Sequence, residues 1–254
     1  MSLAVTTYGY SDVMLYYFNN IVYLQGSLRY NKDYMSKVIS TKPVLIMLYG
    51  YPGAGKTHFA RQLSESLSAA HVHGDRIRGE LFETPQYDAH ENEIVNHLMI
   101  YMAEEFLKAG VSVVFDANSD RIAHRREMRN IARKIKAEQL LVWLQIDSAS
   151  AFARLGRRDK RKADDKYATP YTADSFEKYI QKMQNPKNED YIVVSGKHTF
   201  NTQRSAVIKK LYEMGAVAID EASAGVVKPG LVNLIPNQLR GGRVDNSRRN
   251  ILIR

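Results

Sequence analysis

The chain has 254 residues, of which 44% are hydrophobic and 25% are charged, and its formal net charge is +9. These proportions fit a globular protein with one large domain, and the absence of cysteine excludes a disulfide framework and a zinc site built from thiolates. The chain has neither an apolar run long enough to span a membrane nor the pattern of a secretory signal, so we expect a cytoplasmic protein. The basic excess lies in residues 121–254, which fits a polyanionic partner, a site for a charged nucleotide, or a solvated basic surface.

Both ends of the chain differ in composition from its middle. Residues 1–40 are rich in Tyr and Asn, and the apolar run Val13–Phe18 fits a strand or a short helix. We predict an N-terminal extension of uncertain structure there. It either packs on the main domain or is a non-native leader sequence. Residues 221–254 form a basic tail rich in Gly, Asn and Arg, which could be disordered or could dock on the domain or on a nucleic acid.

Residues 41–220 alternate between predicted strands and helices, and we predict that they form the main domain. The predicted strands are Val44–Tyr49, Ala70–His73, Val111–Phe115, Leu140–Ile146 and Tyr191–Val194. The predicted helices cover about Phe59–Leu67, Ala89–Lys108, Asp120–Ala137, Phe152–Arg158, Ala173–Gln184 and Thr202–Met214. Short apolar strands separated by helices are typical of an α/β fold, in which helices cover both faces of a five-stranded parallel sheet as a three-layer sandwich. Ligands bind such sheets beyond the carboxyl ends of the strands.

The most specific motif is the glycine-rich segment Gly50–Thr57, which has the pattern G-x-x-x-x-G-K-T between the first predicted strand and helix. Its glycines let successive backbone N–H groups point at one anion, and the helix N-terminus adds partial positive charge. We predict that Lys56 reaches the β- and γ-phosphates of a nucleoside triphosphate and that the Thr57 hydroxyl ligates Mg²⁺. The flanking strand and helix disfavour the alternative of an ordinary turn. The predicted nucleotide-binding residues here are Gly50, Gly53, Ala54, Gly55, Lys56, Thr57 and His58.

Asp75 and Arg78 follow the second predicted strand and are candidates for the acceptor side of a phosphoryl transfer. A carboxylate at that strand end could take the proton of an attacking hydroxyl, so we predict a catalytic role for Asp75. Arg78 lies one helical turn later and could hold an acceptor phosphate through two hydrogen bonds. The alternative is an Asp that caps a helix, followed by an Arg in the next turn.

Asp116 and Asn118 follow the third predicted strand. In proteins with a phosphate loop, an Asp from a second strand often lies beside the bound Mg²⁺ ion, and Asp116 fits this position. We predict that Asp116 is a metal ligand on the acceptor side. Asn118 could hydrogen-bond the acceptor. The alternative is that both residues form a turn at the end of the strand.

Three arginines, Arg154, Arg157 and Arg158, are spaced to share one face of the helix after the fourth strand. An arginine supplied by the same chain can stabilise the charge of a transferring phosphoryl group, and we assign that catalytic role to Arg158 and nucleotide binding to Arg154. Together with the charged segment that follows, they suggest a lid over residues 154–170. A solvated basic helix is the alternative.

Two other patterns are better explained by ordinary structure. His71 and His73 could form a metal pair, but no third ligand of suitable spacing is evident, so packing or surface histidines are the preferred interpretation. Five arginines recur at helical spacing and could bind a polyanion, although a solvated helix face is preferred. They are Arg121, Arg125, Arg126, Arg129 and Arg133.

Together these motifs resemble the P-loop kinases around polynucleotide 5′-hydroxyl kinase, the zeta-toxins and chloramphenicol phosphotransferase, with an ATP-binding domain of the AAA_33 type. The resemblance covers about residues 42–215. It implies the P-loop NTPase fold with sheet order 2-3-1-4-5, ATP and Mg²⁺ as ligands, Asp75 as the general base and Arg78 as the contact to an acceptor phosphate. It also implies Arg158 as the lid arginine and an adenine site near the loop Ser195–His198, hence Gly196 in the nucleotide site.

We therefore expect an ATP- and Mg²⁺-dependent phosphotransferase that uses a hydroxyl acceptor such as the 5′-hydroxyl of a nucleic acid. One alternative is a kinase for a small molecule or nucleotide sugar, as in the zeta-toxins. Another is a regulatory ATP-binding protein or ATPase that transfers phosphate to no hydroxyl. A nucleoside triphosphate is the expected partner in all three, with no membrane, and the oligomeric state is left open.

Overall fold

A computed structural model describes residues 38–162 and 165–218 of the protein, all within one compact unit. In chain order the strands are β1 (Ile39–Ser40), β2 (Val44–Tyr49), β3 (Ala70–His73), β4 (Val113–Asn118), β5 (Glu138–Gln145), β6 (Tyr191–Ser195) and β7 (Val217–Ala218). The helices are α1 (Lys56–Leu67), α2 (Gly74–Leu81), α3 (Ala89–Lys108), α4 (Ile122–Ile135), α5 (Ser148–Leu155), α6 (Ala173–Lys182) and α7 (Phe200–Glu213).

The five longer strands form one parallel sheet in the order β3-β4-β2-β5-β6. Numbered along the chain, this order is 2-3-1-4-5, which confirms the predicted fold and strand order. Strand β2 lies in the middle of the sheet and all six of its residues are buried. A strand covered on both faces needs apolar residues at every position, which explains its uninterrupted apolar sequence.

Helices cover the two faces of the sheet and give two separate hydrophobic clusters. Alternate residues of β2 point to opposite faces because the side-chain period of a strand is two. On one face Ile46 and Leu48 pack in a cluster with side chains of α1 and α7, including Phe59, Leu63 and Val207. On the other face Leu45, Met47 and Tyr49 pack in a cluster with side chains of α3 and α4, including Met99, Leu107 and Met128.

The observed elements differ from the predicted ones in several places, three of which affect the strand ends and the segment after α5. Helix α2 was not predicted, because it has only eight residues and includes glycine at positions 74 and 79. Helix α5 ends at Leu155, so Arg157 and Arg158 lie in the segment that follows and do not share a helix face with Arg154. Strand β4 continues to Asn118 instead of ending at Phe115.

The short strands β1 and β7 pair antiparallel, and Val38 is buried in the core beside them. Residues 38–40, which were assigned to the N-terminal extension, therefore pack on the main domain. The run Val13–Phe18, the rest of the extension and the basic tail 221–254 lie outside the described residues, so the domain boundaries stay predictions. Within residues 38–162 and 165–218, no helix is both long and apolar enough to cross a membrane.

The arginine stripe along α4 is only partly the solvated face that the sequence favoured. Arg121, Arg126 and Arg133 are exposed, whereas Arg125 and Arg129 are not. The Arg125 side chain is fully buried and donates from Nε to Glu189 Oε2 at 2.9 Å, from Nη2 to Glu189 Oε1 at 2.8 Å, and from Nη1 to the Ser119 carbonyl at 2.7 Å. Arg129 also pairs with Glu189. Burial acts to raise the pKa of Glu189, but the hydrogen bonds from both arginines outweigh it and hold that pKa below its usual value. This cluster fastens α4 to the segment before β6.

We predict that Glu189→Ala lowers the free energy of unfolding by about 3–5 kcal/mol, because it leaves the buried Arg125 charge without its partner. Urea denaturation of the full chain measures the change. Lys42→Ala is the control, since the Lys42–Glu138 pair is exposed at 3.3 Å and should contribute little. Equal effects of the two substitutions would contradict the importance of the Arg125–Glu189 pair.

Candidate functional site

A cleft of about 1040 Å³ lies at the carboxyl ends of the sheet strands. The sheet strands run parallel, so the segments that follow them meet at this end of the sheet. These segments are the loop after β2, the start of α2, the end of β4 and the segment after α5. The cleft is lined by ten of the predicted site residues: Gly53, Gly55, Lys56, Thr57, His58, Asp75, Arg78, Asp116, Arg154 and Arg158. Gly50, Ala54 and Gly196 support the cleft from outside its lining, and the side chain of Asn118 lies outside the described part of the protein.

The phosphate loop packs tightly against the elements around it. Gly53 has a φ of +85°, and a Cβ atom there would lie 2.2 Å from the Ala151 carbonyl oxygen of α5. Gly50 has a φ of +150°, and a Cβ atom there would lie 2.5 Å from the Leu144 carbonyl oxygen of β5. Only glycine fits at these two positions, because a side chain would collide with backbone and the dihedral angles are unfavourable for other residues. The loop is therefore pre-organised by its contacts to β5 and α5.

Lys56 lies at the start of α1 and folds back over its own loop. Its Nζ atom donates hydrogen bonds to the carbonyl oxygens of Gly50 at 2.8 Å and Tyr51 at 3.0 Å. Burial lowers the pKa of Lys56 to about 8, and the nearby Asp116 carboxylate opposes this shift. A partly buried lysine whose ammonium group is held by two carbonyl oxygens can turn to an anion that enters the loop.

Thr57 and Asp116 face each other at the carboxyl end of the sheet strands, with Oγ1 of Thr57 3.4 Å from Oδ1 of Asp116. Burial acts to raise the pKa of Asp116, but a hydrogen bond from His71 and the charges of His73, His71 and Lys56 lower it below its usual value. The carboxylate is therefore ionised despite its 5% exposure. A hydroxyl and a carboxylate beside a phosphate loop are the oxygen ligands that Mg²⁺ prefers, so these two residues fit the predicted metal role.

A bulge in β4 directs Asp116 toward the cleft. The β2–β4 pairing passes from Met47 opposite Phe115 to Leu48 opposite Asn118, so Asp116 and Ala117 have no partner in β2. Such bulges bend a strand and re-aim its side chains, and they are common next to active sites. The local sequence contains no signal for this bulge, because it arises from the pairing of two strands.

The structure brings Asp116 to the two histidines of β3, for which no third ligand was evident in the sequence. Nε2 of His71 lies 3.0 Å and Nε2 of His73 lies 3.7 Å from Oδ2 of Asp116. The register of β3 and β4 brings the histidines to Asp116, because His73 lies opposite Asp116 in the sheet. Sequence spacing alone could not reveal it, because 45 residues separate His71 from Asp116.

Asp75 lies in the first turn of α2 and accepts a hydrogen bond from the Thr169 hydroxyl at 3.0 Å. The N-cap of this helix is His73, so the alternative that Asp75 caps the helix is wrong. The carbonyl oxygen of Thr169 accepts from Nη1 of Arg158 at 2.9 Å. Thr169 therefore links the predicted general base to the predicted lid arginine, and its role had no sequence signal.

Arg78 is 8% exposed and held by α3. Its Nη1 atom donates to Oε2 of Glu91 at 2.9 Å and its Nη2 atom donates to Oδ1 of Asn92 at 2.5 Å. Its Nε atom is buried and has no hydrogen-bond partner among the described residues. The guanidinium group lies on the wall of the cleft with most of its donors already occupied by protein.

Arg154 contacts the loop after β6, where the nucleotide base was expected. Its Nη1 atom donates to the carbonyl oxygen of Gly196 at 2.9 Å. A Cβ atom on Gly196 would lie 3.0 Å from the carbonyl oxygen of Ala54, so this loop packs directly against the phosphate loop. The three elements predicted to surround the nucleotide are therefore adjacent.

Residues 45–186 match a sequence family described as AAA domain, AAA_33. The probable adenylyl-sulfate kinase of Pyrococcus abyssi (strain GE5 / Orsay) is 27% identical over 177 residues, which cover 67% of this chain and 95% of that protein. The Mycobacterium tuberculosis APS kinase CysC in complex with AMPPNP and APS superposes with a TM-score of 0.52 at 19% identity, covering 67% of this chain and 98% of that chain. Chaetomium thermophilum Kti12 in complex with ADP-AlF3 superposes with a TM-score of 0.55 at 17% identity, covering 68% and 99%. These two solved structures share the fold of this chain.

We predict that a non-hydrolysable ATP analogue binds about tenfold more weakly at pH 9 than at pH 7. Phosphates favour the charged form of Lys56, whose pKa is lowered to about 8, so affinity is full below that pKa and is lost as the pH rises through it. Calorimetric titration across this range measures the dissociation constant. Lys56→Arg is the control, since arginine stays protonated and its affinity should not change with pH. The same slope in both proteins would contradict the assignment to Lys56.

Proposed function

The chain belongs to the AAA domain family, and on that basis we propose that it is an ATP- and Mg²⁺-dependent kinase that transfers the γ-phosphate to a hydroxyl group of a small molecule. One observation carries the proposal. Lys56 and Thr57, on the side of the phosphate loop, share a single cleft with Asp75, a carboxylate suited to activate a hydroxyl. Such a carboxylate can take the proton of an attacking hydroxyl, which the phosphate loop alone cannot do.

The donor half of the site is built from the phosphate loop and β4. In the proposed mechanism Lys56 leaves the carbonyl oxygens of Gly50 and Tyr51 and binds the β- and γ-phosphates. Thr57 and Asp116 would hold Mg²⁺, which supplies neutralisation of phosphate charge when bound. Arg154, beside Gly196, would contact the nucleotide from the opposite wall, and Arg158 would stabilise charge on the transferring group.

The acceptor half centres on Asp75. The Thr169 hydroxyl that donates to this carboxylate at 3.0 Å occupies a position from which an acceptor hydroxyl could do the same. Asp75 would accept the proton of that hydroxyl as the hydroxyl oxygen attacks the γ-phosphorus and the bond from this phosphorus to the bridging oxygen breaks, which releases ADP. Arg78 lines the cleft wall, and its guanidinium group would contact a polar group of the acceptor by giving up a hydrogen bond to Glu91 or Asn92.

The charges around the cleft support a small acceptor over a nucleic acid. Arg125 and Arg129 are paired with Glu189 and so cannot serve a phosphate backbone. The cleft lining contains arginines such as Arg157 but also the carboxylates of Glu93, Asp120 and Glu127, so it lacks the uniformly basic surface that favours a nucleic acid. The sequence relative named above is a probable adenylyl-sulfate kinase, a name that also points to a small acceptor.

The proposal is tested by incubating the full chain with γ-labelled ATP, Mg²⁺ and a panel of hydroxyl compounds. The panel contains adenylyl sulfate, nucleosides, sugars, nucleotide sugars and a 5′-hydroxyl oligonucleotide. We expect the label on one class of small molecule. Label on the oligonucleotide alone would overturn the small-molecule acceptor, and release of phosphate with transfer to no compound would overturn the kinase assignment.

With an accepted substrate, we predict that Asp75→Asn lowers kcat by about 10²-fold or more while the affinity for an ATP analogue changes little. The amide cannot take a proton from the acceptor, and Asp75 has no assigned contact to the donor. Single-turnover kinetics and calorimetry measure the two quantities. Glu80→Gln is the matched control, because Glu80 is a carboxylate on the same helix that bonds Tyr167 outside the cleft lining. Wild-type turnover in Asp75→Asn would rule out the general base.

A further inference from the structure

We propose that His71, His73 and Asp116 form a binding site for a transition-metal dication such as Zn²⁺, adjacent to the proposed Mg²⁺ site and sharing the Asp116 carboxylate with it. The site is defined by its ligand atoms and does not depend on the kinase activity proposed above.

The two histidines are arranged as a pair of ligands. They lie two residues apart on β3 and so point to the same side of the strand. Their rings are parallel within 2°, with centroids 5.2 Å apart. One ligand atom from each of His71, His73 and Asp116 lies within 4.8 Å of the others. Bonds of about 2.0–2.2 Å in a tetrahedral zinc site place ligand atoms roughly 3.3 Å apart, so small side-chain rotations suffice to close the site.

The backbone around this cluster is held by the sheet. Strand β3 pairs with β4 in register, with His71 opposite Val114 and His73 opposite Asp116. The ligands therefore come from two hydrogen-bonded strands and need no loop movement to meet. Strand β3 is also the edge of the sheet, and the His71 side chain is 21% exposed while that of Asp116 is 3% exposed. An ion can thus reach the cluster from the histidine side.

The two oxygens of Asp116 serve different neighbours. Oδ1 lies 3.4 Å from Thr57 Oγ1, on the phosphate-loop side, whereas Oδ2 lies 3.0 Å from Nε2 of His71. One carboxylate can therefore bridge an oxygen-ligated Mg²⁺ ion and a second ion bound by imidazole nitrogen.

The ligand types select the metal. Two imidazoles and a carboxylate suit Zn²⁺, Co²⁺, Ni²⁺ or Cu²⁺, whereas Mg²⁺ prefers oxygen ligands alone. Three protein ligands leave a fourth position of a tetrahedral ion for water, which is the pattern of an open and exchangeable site and not of a closed structural one. Binding should therefore persist when Mg²⁺ is present in excess.

The test is titration of the full, metal-stripped chain with Co²⁺ and Zn²⁺ in excess Mg²⁺. The visible absorption of Co²⁺ reports its coordination, and calorimetry gives the stoichiometry. We expect one bound ion per chain with the spectrum of a tetrahedral nitrogen and oxygen site. The double variant His71→Ala/His73→Ala should bind the ion at least about 100-fold more weakly. Loss of a residue that only supports a metal ligand already weakens metal binding by about 10- to 100-fold, and loss of the ligands themselves should cost at least as much.

The control is His90→Ala/His97→Ala, which removes two exposed histidines of α3 and should bind the ion like the wild type. His71→Gln separates the two possible roles of His71, since glutamine can still donate a hydrogen bond to Asp116 but is a poor metal ligand. Circular dichroism of the metal-free variants checks their folding. The proposal is overturned if the wild type gives no tetrahedral Co²⁺ spectrum, if both double variants lose binding equally, or if His71→Gln binds as tightly as the wild type.

Discussion

A buried carboxylate, Asp116, is the constraint around which the rest of the site is arranged. Removing this charge from water is unfavourable, and it remains ionised only because positive and hydrogen-bonding groups surround it. These groups come from two elements: Lys56 and Thr57 from α1, and His71 and His73 from β3. The charge of Asp116 is tolerated only while three parts of the fold keep their relative positions. They are the end of β4, the phosphate loop and the edge strand β3. The same requirement creates a place where cations bind.

The acceptor side depends on contacts between segments that are distant in the chain. Thr169 connects Asp75 to Arg158, and Arg78 is held on the cleft wall by Glu91 and Asn92. Tyr167 adds a further link, because its hydroxyl donates to Glu80 of α2 at 2.7 Å. In the described structure the segment after α5 is thus docked on the helix that carries the proposed general base. An acceptor must compete with Thr169 for Asp75, which couples the position of this segment to acceptor binding.

The arginine stripe of α4 shows how charge in the sequence can mislead. Helical spacing of five arginines resembles a surface for a polyanion, yet Arg125 is fully buried and shares Glu189 with Arg129. A buried ion pair with several hydrogen bonds holds a connection between elements and offers no charge to a ligand. The positive charge of the second half of the chain is therefore partly internal, which weakens the argument for a nucleic-acid acceptor.

The amino-acid sequence by itself determined the phosphate loop, the five parallel strands and the strand ends where the cleft lies. These features follow from local patterns: apolar runs, helical periodicity and one glycine motif between a strand and a helix. Only the tertiary structure decided that His71 meets Asp116, that Thr169 meets Asp75 and that Arg125 is buried against Glu189. These pairs are separated by 45, 94 and 64 residues, and their meeting depends on strand register, a bulge in β4 and the packing of helices on the sheet. A local pattern contains no information about which distant residue will face it, so the chemistry of the strand ends was predictable while their pairing was not.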